Sequence, residues 1–471
     1  MRTPSAETDR ARPKVDPRLR PSVNDGMAYA VMAGAGESYI NPFAIFLKAS
    51  SSQVGLLTSL PPLIGALCQS LSLWTMEKFT SRRRLIALGA MAQALVWLPI
   101  AALPFLFDEN SATAVNVLIL LVALYHIAFQ STVPIWNSLI GDLVPIETRG
   151  SFFGFRNRRT GLLTFTSLLV AGQILHLFES QRLTTIGFCM IFLIAFLARS
   201  LSSYWITRYP DPPYNFEASH RFSFWDFIRR SPRSNFAKFV YFVASMNLAT
   251  YVAGPYFALY MLNDLKMSYS EYTVVIASAT VSQFLTMHYW GTLSDQFGNR
   301  KIMTVCGIGI AVVPFLWIVW SNTLAIILMQ AFSGFMWAGF NLSASNFMFD
   351  AVSPPKRARC VAYQSIVNAS FIMFGSLLGA FLVENLPADW PLASGIWAPS
   401  SGFLRIFAIS GILRLAVLAV LLKMFKEVRE VEQIRHRDLI FRITNFRPLS
   451  GASFGLITAA LKRKKDRHPP S

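Results

Sequence analysis

Residues 290–301 read WGTLSDQFGNRK, and they interrupt an apolar stretch from Tyr272 to Trp290 and another from Ile302 to Trp320. A charged segment this short cannot be a domain, and its Asp295, Arg300 and Lys301 do not belong in hydrocarbon. It reads as a tight link between two helices that double back on each other. A turn of about eight residues between antiparallel helices needs positions free of Cβ crowding, which Gly291 and Gly298 supply.

The rest of the chain extends this pattern. Of its 471 residues 53% are hydrophobic and only 14% charged, whereas a soluble chain carries about a quarter charged residues. The apolar residues gather into runs of roughly 20, the length of a helix crossing about 30 Å of hydrocarbon. Twelve such spans are predicted: 27–47, 54–74, 85–107, 115–138, 160–177, 185–206, 236–262, 272–293, 302–320, 324–348, 363–383 and 403–424. The fold class is therefore an all-α polytopic membrane protein. An even number of spans puts both termini on one side.

The formal charge of +18 is a topology signal, not a nucleic-acid surface. Nearly all basic residues fall in the termini and in the links after even-numbered spans, such as Arg82–Arg84, Arg149 to Arg159 and Lys356 to Arg359. The other side keeps only Lys48, Arg182 and Lys266, with Arg405 just inside the twelfth span. The positive-inside rule then places both termini in the cytoplasm of a plasma (inner) membrane. Residues 1–22 read as a disordered tail without a signal-peptide core, and 425–471 as a basic cytoplasmic tail. Within the linker 207–235, FSFWDFIRR (222–230) suits an interfacial helix on anionic lipid, a partly ordered loop being the alternative; FGLITAALKRKK (454–465) suits a solvated tail.

The linker divides two six-span halves, 23–206 and 236–424, that repeat each other. GDLVPIETRGSFFGFRN (141–157) matches FDAVSPPKRARCVAYQS (349–365), aligning Asp142 with Asp350 and Arg149 with Arg357. TMEKFTSRRRL (75–85) matches the opening stretch, with Glu77 at the place of Asp295 and Arg82 at that of Arg300. Pro42 matches Pro255, and Arg199 roughly matches Arg414. Pro61-Pro62, Pro42, Pro255 and Pro314 are expected to bend helices.

On these residues the chain resembles the major facilitator superfamily over about residues 23–424. Gly291, Asp295, Gly298, Arg300 and Lys301 fit the family's loop signature; Gln296 and Asn299 stand where a basic residue is usual, and the first-half copy lacks both glycines. The resemblance implies alternating access between the halves, a cytoplasmic latch at these loops, and a cavity lined by the first, fourth, seventh and tenth helices. Asp295 is expected to pair with Arg300, with an arginine of the 356–359 cluster or with the start of the eleventh helix.

The polar residues agree with that cavity. The first helix has Tyr29, Glu37 and Asn41; the fourth His126, Gln130 and Asn137; the seventh Asn247 and Tyr251; the tenth Gln330, Trp337 and Asn341. The third and ninth carry few polar side chains and suit lipid-facing supports. Glu37 lies mid-span, where an ionised carboxylate costs several kcal/mol unless paired or protonated. With His126 at similar depth it makes a candidate protonatable pair; structural pairing, or a cationic substrate on Glu37, are the alternatives. Arg199 and Arg414 read as snorkelling or repeat-interface charges, an anionic-substrate site being the alternative.

No phosphate loop, HExxH or metal-type cysteine spacing occurs, so no enzyme, metal or cofactor is expected. The expected partners are a small-molecule substrate, protons as coupling ion, and anionic lipids at the basic loops and tail. No nucleic-acid partner is expected, and the chain is read as a monomer. Proton-driven export of amphipathic or cationic compounds is favoured. Uptake of a sugar, peptide or acid, a non-transporting sensor or scaffold, and lipid movement are the other readings.

Overall fold

The computed structural model describes residues 17–69, 81–107, 111–145, 148–212, 229, 234–352, 357–386 and 401–429. Glu77 and the stretches 222–228 and 454–465 lie outside the described residues. Peptide groups in hydrocarbon find no water to bond, so the apolar runs close their hydrogen bonds internally as helices. The amino half holds α1 (Arg20–Ala35), α2 (Ile40–Phe46), α3 (Ser51–Cys68), α4 (Arg82–Leu106), α5 (Ala112–Leu143), α6 (Arg149–Ser180) and α7 (Thr184–Ile206). The carboxyl half holds α8 (Asn235–Tyr251), α9 (Tyr256–Leu259), α10 (Tyr269–Phe297), α11 (Asn299–Val319), α12 (Thr323–Ala351), α13 (Arg357–Asn385) and α14 (Gly402–Leu421). No strand occurs among the described residues.

Nine spans among the described residues are long and apolar enough to cross a membrane. The remaining three expected spans correspond to the interrupted α1–α2, the 18-residue α3 and the hydroxyl-rich α10. The first helix starts earlier than its apolar run suggests. Pro21 sits in its first turn, where a missing N–H costs nothing, and Val23 and Asp25 are already buried. Residues 20–22 thus belong to the bundle rather than to a tail.

Two prolines interrupt the spans that line the centre. Proline cannot donate to the carbonyl four residues back, and its ring crowds that carbonyl. Pro42 accordingly follows a 3-10 turn at Glu37–Tyr39, and Pro255 follows the end of α8 at Tyr251. The repeat-matched prolines mark the same break in both halves. Pro61, Pro62 and Pro314 lie inside helices that continue through them, so they do not break their spans.

Each half has its own core. Tyr39, Phe43, Trp97 and Phe192 centre the first; Phe239, Trp290 and Phe347 centre the second. Leu120, Leu193, Leu285 and Phe381 are exposed outward, toward lipid. The ninth span departs from the lipid-facing expectation: α11 packs between α12 and α14, with Ile302, Cys306 and Ile310 fully buried. An apolar helix serves either setting.

The halves meet through α3 with α13 and α6 with α10. Hydrogen bonds join Tyr39 to Thr273 at 2.8 Å, Gln173 to Ser270 at 3.0 Å and Ser52 to Glu384 at 2.5 Å. Gly55 admits the Tyr256 hydroxyl and the Ser376 carbonyl, and Gly172 lies against Thr273. All these contacts sit on the face opposite the termini. There Lys48, Arg182 and Lys266 each take a positive φ. At the first two, paired bonds (Ala49 N to Ala44 O, Lys48 N to Ile45 O; Leu183 N to Phe178 O, Arg182 N to Glu179 O) form Schellman closures. A cation there also faces the negative end of the helix dipole.

On the terminus face, Gly298 joins α10 to α11 at φ 88° and ψ 150°, a conformation essentially confined to glycine. Gly291 lies within α10 with its nearest neighbour, Leu342, at 3.7 Å from a would-be Cβ, so crowding does not require it. Beyond α14, residues 425–429 do not start a free tail but strap the carboxyl half. Phe425 is fully buried against Phe239, Phe242 and Phe347. Asn235 bonds both backbone groups of Lys426, and the Glu427 carboxylate accepts the Arg300 N–H at 2.7 Å.

This geometry sets two expectations for stability. Gly298→Ala is expected to cost about 1–3 kcal/mol and to lower the midpoint of thermal unfolding in detergent, while Gly291→Ala leaves it in place. Phe425→Ala is expected to cost about 3 kcal/mol, whereas Arg429→Ala, losing only partly exposed ion pairs, costs at most about 1 kcal/mol. Equal losses in either pair of variants would contradict these assignments.

Candidate functional site

A cavity of about 720 Å³ lies between the halves, at the level of the two proline breaks. From the amino half, Tyr29, Glu37, Asn41 and His126 face it; from the carboxyl half come Asn247, Tyr251, Trp337 and Asn341. These are the sequence-expected residues that the fold brings together. Three others it does not. Gln130 packs against Gly65 of α3, Asn137 lines a separate chamber, and Gln330 is half-buried away from the cavity.

The break in the first span sets Glu37 into the cavity. Its carboxylate accepts hydrogen bonds from the Tyr125 hydroxyl and, at 3.4 Å, from Tyr29. The expected pairing with His126 is not formed. Successive residues on a helix point about 100° apart, so if Tyr125 turns its hydroxyl to Glu37, His126 cannot do the same. The His126 Nδ1 is buried with no partner among the described residues, and its ring stands edge-on to Tyr125 at 5.8 Å. Tyr125 was not legible because its burial against Trp97 and Met32 is that of a core aromatic.

Arg199 and Arg414 are buried inside their own halves rather than snorkelling or bridging the repeat. Arg199 holds Gln93 and Ser202, each at 2.6 Å, and lies 5.0 Å over the Tyr29 ring. Arg414 holds Ser410 and the Ile310 carbonyl.

Smaller chambers lead from the cavity toward the terminus face. One of about 310 Å³ runs through the carboxyl half past Asn247, Asn341, Ser345 and Met348. Another of about 270 Å³ lies in the amino half and shares Tyr29 and Phe129 with the central cavity. With the opposite face sealed by α3–α13 and α6–α10, the cavity opens toward the termini.

The charged loops of the terminus face are built differently in the two halves. In the amino half Arg82, buried, pairs with Asp142 at 2.6 Å and donates to Ser138 at 2.9 Å. In the carboxyl half Arg300 does not pair with Asp295; its guanidinium donates to the Leu422 carbonyl. Asn299 reaches Asp350 at 2.9 Å, and Arg429 of the strap binds Asp350 at 2.7 Å and Asp295 at 3.1 Å. Hydrogen bonding to Asp350 first, and to Asp295 after it, holds the Arg429 guanidinium more firmly protonated than a free one. Lys301 follows Arg300 into α11; Arg149 opens α6 and Arg357 opens α13. Arg429 escaped the sequence because it lies in a stretch composed like a tail.

Comparison with known proteins fits this architecture. The sequence model of the Major Facilitator Superfamily matches residues 27–251 and again 237–464, one match per half. Over 142 residues the chain is 30% identical to the Quinolone resistance protein NorA of Staphylococcus aureus (strain MRSA252); the match spans 29% of this chain and 36% of that protein, so about a third of the relative's length is covered. Its fold is like that of a D-xylose-proton symporter, with TM-score 0.66 and 14% identity over 88% of this chain and 98% of the other. It is also like that of the nucleoside transporter NupG, with TM-score 0.62 and 13% identity over 87% and 99%. Two matches to one family model, one over each six-span half, place this chain in the major facilitator superfamily.

Proposed function

We propose that this protein is a secondary active transporter that carries a small molecule through the cavity between its halves, driven by protons. The observation that carries the reading is Glu37: a carboxylate at a break in a membrane helix, held by two phenol hydroxyls and facing a cavity of about 720 Å³. An ionised carboxylate in that setting is costly unless compensated, and a neutral one is not. Taking up and losing a proton therefore changes how strongly Glu37 is drawn to its partners, which is what coupling requires. Trp337 and Tyr251 offer flat apolar surface opposite the acid, which suits an amphipathic or cationic compound. The drug-resistance relative leans the same way, toward export. Asn247, Thr250 and Asn341 favour a second reading, uptake of a hydroxyl-bearing solute, because amides and hydroxyls match such groups.

The termini lie in the cytoplasm of the plasma (inner) membrane in this reading, so the described state is open inward, and the protein works as a monomer. Division into a tail, two bundles, a linker and a basic tail follows the sequence, with residues 20–22 and 425–429 reassigned to the bundles. Asp295, Asp350 and Arg429 form the carboxyl half's latch, and Arg82 with Asp142 the amino half's. Anionic lipid meets the basic loops.

The full-length protein in proteoliposomes, with an imposed pH gradient and a pH dye inside, tests the mechanism. Ethidium, as a lipophilic cation, is to be compared with pooled sugars and nucleosides. A compound-dependent proton flux is expected for the wild type and is expected to fall to the background of empty vesicles in Glu37→Gln. Flux that survives the substitution removes Glu37 from the coupling role. For orientation, a cysteine replacing exposed Arg182 is expected to react with an impermeant maleimide in intact cells, and one replacing exposed Arg84 only after lysis; the reverse pattern would invert the topology.

A further inference from the structure

A second buried acid stands apart from the cavity. Asp25 of α1 is 4% exposed and lines the amino-half chamber of about 270 Å³ together with Tyr29, Arg156 and Arg199. Ser202 donates to one of its oxygens at 2.6 Å; Tyr209 donates to the other at 2.8 Å, and Arg156 lies 3.6 Å from it. From the packed helices, then, it is faced by Arg199 and Ser202 of α7, Tyr209 just beyond α7, Arg156 of α6 and the uncharged Trp136 and Asn137 of α5.

Asp25 is linked to Glu37 through Arg199. The guanidinium donates to Ser202, which donates to Asp25, and on its other side it covers the Tyr29 ring, whose hydroxyl reaches Glu37. Tyr29 also stacks on Phe129, with ring centroids 5.9 Å apart, and both rings line both chambers. The stacked pair is thus the partition between Glu37's cavity and Asp25's chamber. At about 30 Å³ per water molecule, that chamber has room for several.

The carboxyl half provides an internal control. Arg414, the repeat match of Arg199, is equally buried yet is held by a hydroxyl and a carbonyl, with no carboxylate on it among the described residues. A buried arginine at this place therefore does not need an acid. The acid in the amino half is therefore not there to neutralise Arg199, and its near cation is Arg156, on the oxygen that Tyr209 also reaches.

We propose that Asp25 is a second proton-binding carboxylate of the transport cycle, working in sequence with Glu37 and reached from the terminus face through its own chamber. This rests on the proton-coupling reading above. When Glu37 ionises, its proton passes to water beyond the Tyr29–Phe129 partition and is bound by the Asp25 carboxylate, which releases it toward the terminus face. Arg199, between the two acids, keeps a cation beside whichever of them is ionised. The substrate keeps the separate passage through the carboxyl half.

The test needs no known substrate. Wild-type protein in proteoliposomes is treated with dicyclohexylcarbodiimide, which reacts with protonated carboxyls in apolar surroundings, across acid to alkaline pH, and the labelled peptides are mapped by mass spectrometry. Label is expected on both Asp25 and Glu37, rising as pH falls. Ser202→Ala, which removes a donor but no charge, is expected to raise Asp25 labelling several-fold at neutral pH. Label on Glu37 with none on Asp25 at any pH overturns this proposal and leaves the coupling reading standing. Label on neither overturns both.

Discussion

A charge carried into hydrocarbon has to be answered by the protein itself, and in this chain the answer comes from within the same half. Glu37 is met by Tyr29 and Tyr125, Asp25 by Ser202, Tyr209 and Arg156, Arg199 by Gln93 and Ser202, and Arg414 by Ser410 and a backbone carbonyl. Because each half answers its own buried charges, the halves can shift against each other without exposing an unpaired charge. The cavity between the halves is then free to change shape around a solute. The two proline breaks serve the same end, since they place Glu37 and Tyr251 at interruptions where side chains leave the regular helical surface.

The fold was legible because hydrocarbon imposes a length and a composition on every span, and a duplication repeats each signal at a fixed interval. The site was legible only in part. Eight of the residues expected in the cavity line it, for polar side chains on a helix beside the central axis have little choice of direction. What failed was pairing. Glu37 and His126 share a depth but not a facing, and a tyrosine next to the histidine took its place. Asp295 and Arg300 share a loop, yet the backbone sends Arg300 to the end of α14. Asp25 and Arg429 were missed because each lies just outside an apolar run, where polar composition reads as tail.

The two halves have kept the same acids and changed the bases. Asp142 and Asp350 occupy equivalent places, but the first is met by Arg82 from the neighbouring turn, the second by Asn299 and by a residue beyond the last helix. Asn299 brings no charge, so the cation had to come from elsewhere, and the strap supplies it. Phe425, not the ion pair, fixes the strap in position, because full burial of an aromatic ring outweighs a partly exposed contact. Each half thus ties this corner with the segment beyond its last helix, Asp211 and Pro212 meeting Ser81 and Arg82 in the first, but only the second takes the cation for its aspartate from there.

The seal on the face opposite the termini has a different character. Its hydrogen bonds, Tyr39 to Thr273, Gln173 to Ser270 and Ser52 to Glu384, join no two opposite charges, and Gly55 and Gly172 let backbone and hydroxyls touch where side chains would interlock. Net values for such bonds are about 1 kcal/mol each, and ionic strength does little to them. That face can therefore part at nearly the same cost in dilute and in salty surroundings. Dissolved ions therefore have little handle on that contact, in contrast to the charged pairs of the terminus face.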